Sequence, residues 1–348
     1  MEHDRLAPAL VRRAGTDQGG GDTLPPAMLH ELLFPSGPRM GHKPMQFGHG
    51  SEDSGCGLPC QPEGEARNEW HWLAQGLRVN CAADDWNLLN QMTPTTLRVL
   101  FAPAEFAVLN QRDLGQTVCV VFDVLRATST MVTALGNGAA AIAPAAEIPE
   151  ALSIRERQPE VLLAGERDGV RIEGHLTGGV SFDLGNSPRE FTAASVGGRI
   201  VAMTTTNGTR ALRACAPASA VLVGSFLNLR ATAEYIAEQA PPNLLLVCSG
   251  TLDQVAYEDV LGAGALCDSL WHRYDGGEIS DSARMARRLF RLEENDLLAA
   301  MAQSRNGRRL MAHPDLRDDV PFCIQRDLFG FVAELGKDGL VKVRRLGG

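Results

Sequence analysis

The pattern of apolar and polar residues changes near residue 95. Residues 1–95 hold no long run of regularly spaced apolar positions, and glycine- and proline-rich stretches interrupt them. Beyond that point, short apolar runs alternate with segments of helical periodicity. The runs predict strands over 97–101, 118–122, 139–144, 161–164, 200–204, 220–223 and 244–248. Helices are predicted over 127–135, 148–157, 208–214, 227–239, 257–270, 280–291 and 294–302.

Strands separated by helices are typical of crossover connections, so we expect an α/β fold with largely parallel sheets and flanking helices. Residues 1–95 predict a poorly ordered N-terminal extension. Met92 offers an alternative start of the chain, in which case the upstream part is an annotation artefact. A regulatory or partner-binding arm is the other interpretation of this segment.

Composition and charge restrict the classes of protein to which this chain can belong. Hydrophobic residues make up 44% and charged residues 22%, which is ordinary for a globular protein. No apolar run approaches the roughly 20 residues that span a membrane, and the first residues do not form a secretory signal. We therefore expect a cytoplasmic protein with no membrane partner. The net charge of −9 argues against a nucleic-acid partner, since phosphate backbones require a basic face.

The most informative stretch follows the predicted strand 118–122 and reads Asp123-Val-Leu-Arg-Ala-Thr-Ser-Thr130. Here the carboxyl end of a strand meets the amino end of a helix. Free backbone N–H groups, the helix dipole and the guanidinium of Arg126 favour an anion at such a place. Asp123 beside them is suited to a divalent cation, and the pair indicates metal-assisted phosphate chemistry.

Four further polar motifs follow apolar runs: Gly165-Glu-Arg167, Phe182-Asp-Leu-Gly-Asn-Ser-Pro188, Thr204-Thr-Thr-Asn-Gly-Thr-Arg210, and Ser249-Gly-Thr251 with Glu258-Asp259. The threonine-rich run is the clearest anion cradle, because hydroxyls, an amide and a glycine precede an arginine. Each motif also has an ordinary structural interpretation: a helix cap, a turn before proline, a surface ion pair or a solvated acidic step. Gly262 and Gly264 lie inside a predicted helix and indicate close helix packing.

Several enzyme classes are excluded by pattern. The chain has no G-x-x-x-x-G-K-[ST] loop and no G-x-S-x-G elbow. Leu125 stands where haloacid-dehalogenase-type phosphatases carry a second aspartate, and Gln254 stands where a cysteine phosphatase loop from Cys248 needs arginine. Cys56 and Cys60 have a spacing that some zinc sites use, but no matching pair follows them.

These motifs, in this order, resemble the 2-phosphosulfolactate phosphatase family. The resemblance covers about residues 97 to 335 and continues through Gly224-Ser-Phe-Leu-Asn228, Ser304-Arg-Asn-Gly-Arg-Arg-Leu310, Asp319-Val-Pro-Phe-Cys323 and Asp327. It implies two α/β lobes, expected over 97–215 and 216–346 with the site between them. It also implies a magnesium-dependent phosphatase that converts 2-phospho-3-sulfolactate to 3-sulfolactate, a step on a route to coenzyme M.

The expected site residues stand at positions that match the family motifs. The catalytic residues are expected to be Asp123, Arg126, Glu166 and Arg210. The expected metal ligands for Mg²⁺ are Asp123, Glu258 and Asp259. The expected substrate-binding residues are Ser129, Thr130, Arg167, Asn186, Ser187, Thr206, Asn207, Gly208, Thr209, Ser249, Gly250 and Arg308.

Some questions stay open at this level. Asp123 is either a metal ligand or the nucleophile. The expected partner is a small anionic phosphorylated substrate. The sequence leaves open whether the protein forms a homo-oligomer. The chain inserts residues 175–181 where the family typically runs straight into the Phe182-Asp183 segment, and this loop is expected to border the site and to alter substrate fit. The alternatives are a phosphatase of another small phospho-hydroxy acid and a non-catalytic binder of a sulfonated or phosphorylated metabolite.

Overall fold

The computed structural model describes residues 95–344, which contain one sheet of 11 strands. In chain order the strands are β1 Thr96–Leu100, β2 Thr117–Phe122, β3 Ala141–Ala145, β4 Leu162–Arg167, β5 Val170–Arg171, β6 Ile200–Thr204, β7 Ala220–Gly224, β8 Asn243–Cys248, β9 Glu278–Ile279, β10 Val332–Leu335 and β11 Val341–Arg344. The expectations for the N-terminal extension and for a start at Met92 lie outside the described residues.

Eleven α-helices connect or follow these strands. They are α1 Pro103–Phe106, α2 Ala127–Gly136, α3 Ile148–Arg157, α4 Ala193–Val196, α5 Gly208–Ala214, α6 Leu229–Gln239, α7 Tyr257–Tyr274, α8 Asp281–Glu293, α9 Leu297–Gln303, α10 Arg305–Ala312 and α11 Asp319–Cys323. Short 3₁₀ helices occupy Leu109–Gln111, Gly174–Leu176, Pro188–Glu190 and Phe226–Asn228. No helix in the described part of the chain is long and apolar enough to cross a membrane.

The sheet has two parallel parts joined by an antiparallel hairpin. Its strand order is β5-β4-β6-β3-β11-β10-β7-β2-β8-β1-β9. Strands β7, β2, β8, β1 and β9 run parallel, as do β3, β6 and β4. Between them, β10 pairs antiparallel with β7 and β11 pairs antiparallel with β3. The mixed sheet and its flanking helices confirm the predicted α/β class.

Burial explains why β2 lies inside the sheet. All six of its residues are buried, which is typical of a strand covered on both faces. Because side chains alternate along a strand, Val118, Val120 and Phe122 enter one apolar core while Cys119 and Val121 enter the core on the other face. Asp123 therefore directly follows a strand that is covered on both faces and held rigidly.

The predicted elements agree closely with the structure, and the largest differences lie in the last third of the chain. The helix predicted from 227 begins at Leu229, because Phe226–Asn228 forms a 3₁₀ turn with the Leu227 N–H donating to the Ser225 hydroxyl at 2.9 Å. The patterns did not predict α10, α11 or the β10–β11 hairpin. Strands from both expected lobes share the single sheet, and the division into two lobes stays a prediction.

Candidate active site

Polar residues that follow strands of both parallel parts of the sheet meet around a cavity of about 100 Å³. Six of the predicted site residues line it: Asp123, Arg126, Glu166, Asn186, Thr206 and Asn207. Asp123 follows β2, Glu166 lies at the end of β4, and Thr206 follows β6. Each residue stands at the carboxyl end of its own strand. Strand β2 runs in the opposite direction to β4 and β6, because three antiparallel pairings separate the two parallel parts of the sheet. The far side of the cavity is formed by Thr251, Leu252, Asn306, Arg309 and Leu310.

Asp123 is half-buried among groups that favour its neutral form. Burial raises the pKa of its carboxyl group to about 6, a hydrogen bond from the Ala127 N–H opposes this shift, and the charges of Glu166 and Glu258 add to it. The Ala127 N–H donates to Oδ1 at 3.2 Å. Gly208 packs against the other side, where an added Cβ atom would come within 2.7 Å of Oδ2. A glycine is therefore required beside the carboxylate.

Asp259, in the first turn of α7, ties two loops together. Its Oδ1 accepts a hydrogen bond from the Val124 N–H at 2.8 Å, and Oδ2 accepts from the Gly250 N–H at 3.1 Å and the Ser249 hydroxyl at 3.2 Å. Burial, followed by the negative charges of Asp123 and Glu258, raises the pKa of Asp259 well above its usual value. Both carboxylate oxygens of Asp259 accept hydrogen bonds from the protein. The residue therefore holds these loops in place close to the site.

The two carboxylate oxygens of Glu258 differ in their hydrogen bonding. Its Oε1 accepts a hydrogen bond from the Asn306 side chain at 2.5 Å. Its Oε2 is buried and has no hydrogen-bond partner among residues 95–344. A buried carboxylate oxygen without a partner carries a large desolvation cost, so an atom outside the described protein groups is expected to contact it.

Glu166 joins two loops that line the cavity. Its Oε1 accepts from the Thr206 N–H at 3.0 Å and from the Thr206 hydroxyl at 2.8 Å. Its Oε2 accepts from the Gly169 N–H at 2.8 Å. The carboxylate thus holds the threonine loop that follows β6 against the β4–β5 turn.

Arg126 belongs to a buried charge network. The guanidinium is only 3% exposed, and it donates to Asp319 Oδ2 at 2.8 Å and to the Gly169 carbonyl at 2.6 Å. Asp319 is fully buried and also accepts from the Ser187 hydroxyl at 2.6 Å and from Arg189 Nε at 2.9 Å. Asp319 was part of the family motif but not of the predicted site; its 193-residue separation from Arg126 hid the pairing.

Comparison with known proteins shows the family of this chain. Residues 106–338 match the family model described as 2-phosphosulpholactate phosphatase. The chain belongs to the 2-phosphosulfolactate phosphatase family. The prediction of a phosphoric monoester hydrolase is confirmed at that level.

Three curated relatives illustrate the similarity, and each is named "Probable 2-phosphosulfolactate phosphatase". The protein of Caldanaerobacter subterraneus subsp. tengcongensis is 38% identical over 236 residues, which is 67% of this chain and 93% of the relative. That of Thermotoga petrophila is 39% identical over 216 residues, covering 62% and 88%. That of Clostridium acetobutylicum is 33% identical over 227 residues, covering 65% and 92%.

Several predicted binding residues of this family member direct their hydroxyl groups to the protein itself. Ser129 donates to the Val124 carbonyl at 2.9 Å, Thr130 to the Asn186 carbonyl at 2.9 Å, and Thr209 to the Thr205 carbonyl at 3.2 Å. These bonds hold the loops that carry Asp123 and Thr206. Direct substrate contact by these hydroxyls stays a prediction.

The predicted arginines separate into two groups. Arg167 donates to its neighbours Thr204 at 3.2 Å and the Glu166 carbonyl at 2.7 Å, away from the cavity lining. Arg210 and Arg308 are exposed, and neither lines the cavity. Arg309, which was not predicted, lines it instead. The helical spacing from Asn306 was the signal that indicates Arg309, because residues three apart share a helix face.

The carboxylates fit a magnesium ion held by few protein ligands. No group of three or more His, Cys, Asp or Glu side chains in residues 95–344 is arranged to enclose a metal. Mg²⁺ usually keeps several waters and binds through one or two carboxylates plus substrate phosphate. The unpartnered Oε2 of Glu258 and the Asp123 carboxylate, whose negative charges repel each other, supply such a pair.

Proposed function

We propose that this protein hydrolyses 2-phospho-3-sulfolactate to 3-sulfolactate and phosphate, with Mg²⁺ as its cofactor and the cavity around Asp123 as its active site. The observation that carries the proposal is the position of Asp123. Its carboxylate ends a buried parallel strand and enters a polar cavity beside an arginine, hydroxyls and further acids. Membership of the family supports the substrate, since the family and its relatives bear that name.

Asp123 and Glu258 are the proposed ligands of Mg²⁺. Once bound, the ion would neutralise their charges and polarise the phosphoryl group. Asp259 was predicted as a third ligand, but its oxygens already accept hydrogen bonds from Val124, Ser249 and Gly250. We therefore propose that Asp259 positions the metal-binding loops. The role of Asp123 as nucleophile is the alternative.

The remaining groups are suited to bind the phosphate. Arg126 presents a permanent positive charge from a guanidinium held by Asp319 and Gly169. Thr206 and Asn207 follow β6 at the cavity wall, and Glu166 holds this loop in place by accepting from the Thr206 N–H and hydroxyl. The side chain of Asn186 also lines the cavity, and the N–H groups of its amide can donate to a phosphate oxygen. Charge-assisted hydrogen bonds from such groups stabilise a phosphoryl transition state.

The proposed site uses both expected lobes. Asp123, Glu166 and Thr206 come from residues 97–215, whereas Thr251, Asn306 and Arg309 come from residues 216–346. A cavity lined by both segments supports a site between them.

The test is a phosphate-release assay on the purified protein with 2-phospho-3-sulfolactate. We expect turnover with Mg²⁺ and its loss on chelation with EDTA, followed by recovery when Mg²⁺ is restored. Turnover that is unchanged in EDTA after exhaustive dialysis would remove the metal from the proposal. Absence of hydrolysis under all metal conditions would remove the activity.

Two other functions are distinguished by the same assay. A phosphatase of another phospho-hydroxy acid would show a higher kcat/KM with phosphoglycolate or 2-phospholactate. A non-catalytic binder would retain 2-phospho-3-sulfolactate without releasing phosphate. A cytoplasmic location stays an expectation from the sequence pattern, and a place on a route to coenzyme M stays an expectation from the family resemblance.

A further inference from the structure

Two arginines line the cavity, and the protein holds them in different ways. Arg126 is 3% exposed and is paired with the fully buried Asp319. Arg309 is 53% exposed, and its ion pair joins Nη2 to Asp168 Oδ1 at 3.8 Å. The carboxylate of Asp168 is itself 96% exposed. Exposed pairs of this kind are screened by water and contribute little, so an incoming anion can replace Asp168.

The helix that carries Arg309 is anchored to the acidic centre. Asn306, in the first turn of α10, donates to Glu258 Oε1 at 2.5 Å and to the Thr251 hydroxyl at 2.8 Å. Arg309 follows three residues later, so the Cβ atoms of Asn306 and Arg309 lie about 5 to 6 Å apart on one helix face. Arg309 therefore shares a helix face with the residue that contacts the proposed metal-binding carboxylate.

The guanidinium of Arg309 also keeps donors for a ligand. Its Nη2 donates to the Asp168 carbonyl, and its other two nitrogens donate to no group among residues 95–344. The neighbouring Arg308 instead donates to the Gln303 carbonyl at the preceding turn and lies outside the cavity lining. A guanidinium fork with two uncommitted nitrogens matches the oxygens of a carboxylate or a sulfonate.

We propose that Arg309 is a specificity-determining residue that binds a second anionic group of the substrate, a carboxylate or sulfonate attached next to the phosphate-bearing carbon. The proposal rests on the proposed function and deepens it. Arg126, Thr206 and Asn207 surround Asp123 and receive the phosphate, whereas Arg309 stands on the more exposed wall and receives the second anion.

The experiment compares four phosphate esters on the full chain with Mg²⁺. They are 2-phospho-3-sulfolactate, 2-phospholactate with a carboxylate only, 2-sulfoethyl phosphate with a sulfonate only, and ethyl phosphate with neither. Arg309→Ala and Arg309→Lys are measured beside Arg317→Ala, an exposed arginine outside the cavity that serves as the control. Arg308→Ala tests the neighbouring position that the sequence pattern had indicated.

We expect Arg309→Ala to lower kcat/KM for 2-phospho-3-sulfolactate by about 10- to 100-fold, the loss of one charge-assisted contact, while ethyl phosphate changes less than about threefold. Arg309→Lys should give an intermediate loss, because it keeps the charge without the fork. The two single-anion substrates identify which group Arg309 contacts. General structural damage would lower all four values together, and an equal loss for ethyl phosphate would overturn the proposal, as would a larger selective loss in Arg308→Ala.

A binding measurement separates this proposal from the proposed function. Calorimetric titration with 3-sulfolactate, which carries both anions and no phosphate, should show about tenfold or more weaker binding to Arg309→Ala than to Arg317→Ala. This result is expected whether or not the wild-type protein hydrolyses the esters. Equal affinity of the two variants would overturn the role of Arg309, whereas failure of hydrolysis alone would overturn only the proposed function.

Discussion

At the scale of single residues, the site concentrates negative charge that the described protein does not neutralise. Asp123, Glu166, Glu258 and Asp259 influence one another, and the buried positive charge nearby, Arg126, is already paired with Asp319. Such an arrangement costs folding stability unless a cation binds, because like charges in a buried site repel. A pKa perturbed by burial and by specific charged neighbours is typical of functional sites.

Replacing Asp123 by Asn tests the centre of the proposed site directly. We expect Asp123→Asn to lower kcat by at least about 1,000-fold, because loss of a metal ligand or nucleophile raises the barrier by several kcal/mol. Circular dichroism should show an unchanged fold. Asp275→Asn, an exposed aspartate at the end of α7, serves as the control and should retain full activity. Activity of Asp123→Asn within tenfold of wild type would contradict the assignment.

The raised pKa of Asp123 predicts how stability depends on pH in metal-free protein. The carboxyl group binds a proton more tightly in the folded state, with a pKa of about 6 against the usual 3.8. Its protonation therefore stabilises the fold, and this contribution, up to about 3 kcal/mol, is lost as pH rises from about 4 to 7. In EDTA at pH 7.5, Asp123→Asn should melt about 5 °C above wild type.

Melting curves at a second pH and with added Mg²⁺ check this prediction. The difference between Asp123→Asn and wild type should shrink at pH 4, where both side chains are neutral. Addition of Mg²⁺ at pH 7.5 should raise the Tm of the wild type and not that of the variant. A variant that melts below wild type at pH 7.5 in EDTA would show that the Asp123 carboxylate stabilises the fold.

At the scale of elements, the packing of α7 brings its acidic first turn to the end of β2. Gly262 and Gly264 were predicted to permit close packing, and the structure confirms it. A Cβ atom on Gly264 would lie 2.2 Å from the Ala286 carbonyl oxygen in α8, and one on Gly262 would lie 2.9 Å from the Phe122 ring in β2. The small faces of α7 thus let its first turn, with Glu258 and Asp259, approach the end of β2.

Gly264→Ala is expected to destabilise the protein by about 1–3 kcal/mol, because backbone atoms of α8 must move away from the added methyl group. Thermal melting should show a decrease of roughly 5 °C in Tm. Gly276→Ala is the matched control, since an added Cβ atom there meets nothing within 4 Å and should change stability by less than about 0.5 kcal/mol. Equal Tm values for the two variants would contradict the packing argument.

At the scale of the whole described chain, strands from distant segments are interleaved. Strand β2, from the first expected lobe, lies between β7 and β8 of the second. Strand β1 pairs with β8 and β9, which also belong to the second. The hairpin β10–β11 inserts the last described residues between β7 and β3.

This interleaving predicts that neither segment folds alone. Separately produced polypeptides 95–215 and 216–348 should show no cooperative thermal transition, because β2 would lose the hydrogen-bond partners on both of its edges. The uninterrupted polypeptide 95–348 should unfold with a single sigmoidal transition. A cooperative transition in either fragment would show that the lobes are independent folding units, as the sequence resemblance first implied.

The sequence by itself determined the local elements and the class of chemistry. Continuous apolar runs such as 118–122 and helical periodicity such as 148–157 depend on neighbours in the chain, and the structure places β2 and α3 there. The polar motifs after the strands indicated the residues of the site, and Asp123, Glu166 and Thr206 all line the same cavity. The order of the motifs was sufficient to recognise the family.

Only the tertiary structure decided which of these residues face the cavity and what holds them. The pairing of Arg126 with Asp319 joins residues 193 positions apart, and no local pattern encodes such a contact. The choice of Arg309 over Arg308 depends on how α10 is rotated by the bonds of Asn306 to Glu258 and Thr251. Strand order likewise depends on burial of both sheet faces. Apolar periodicity predicts that a strand forms, but it does not show which other strands pair with it.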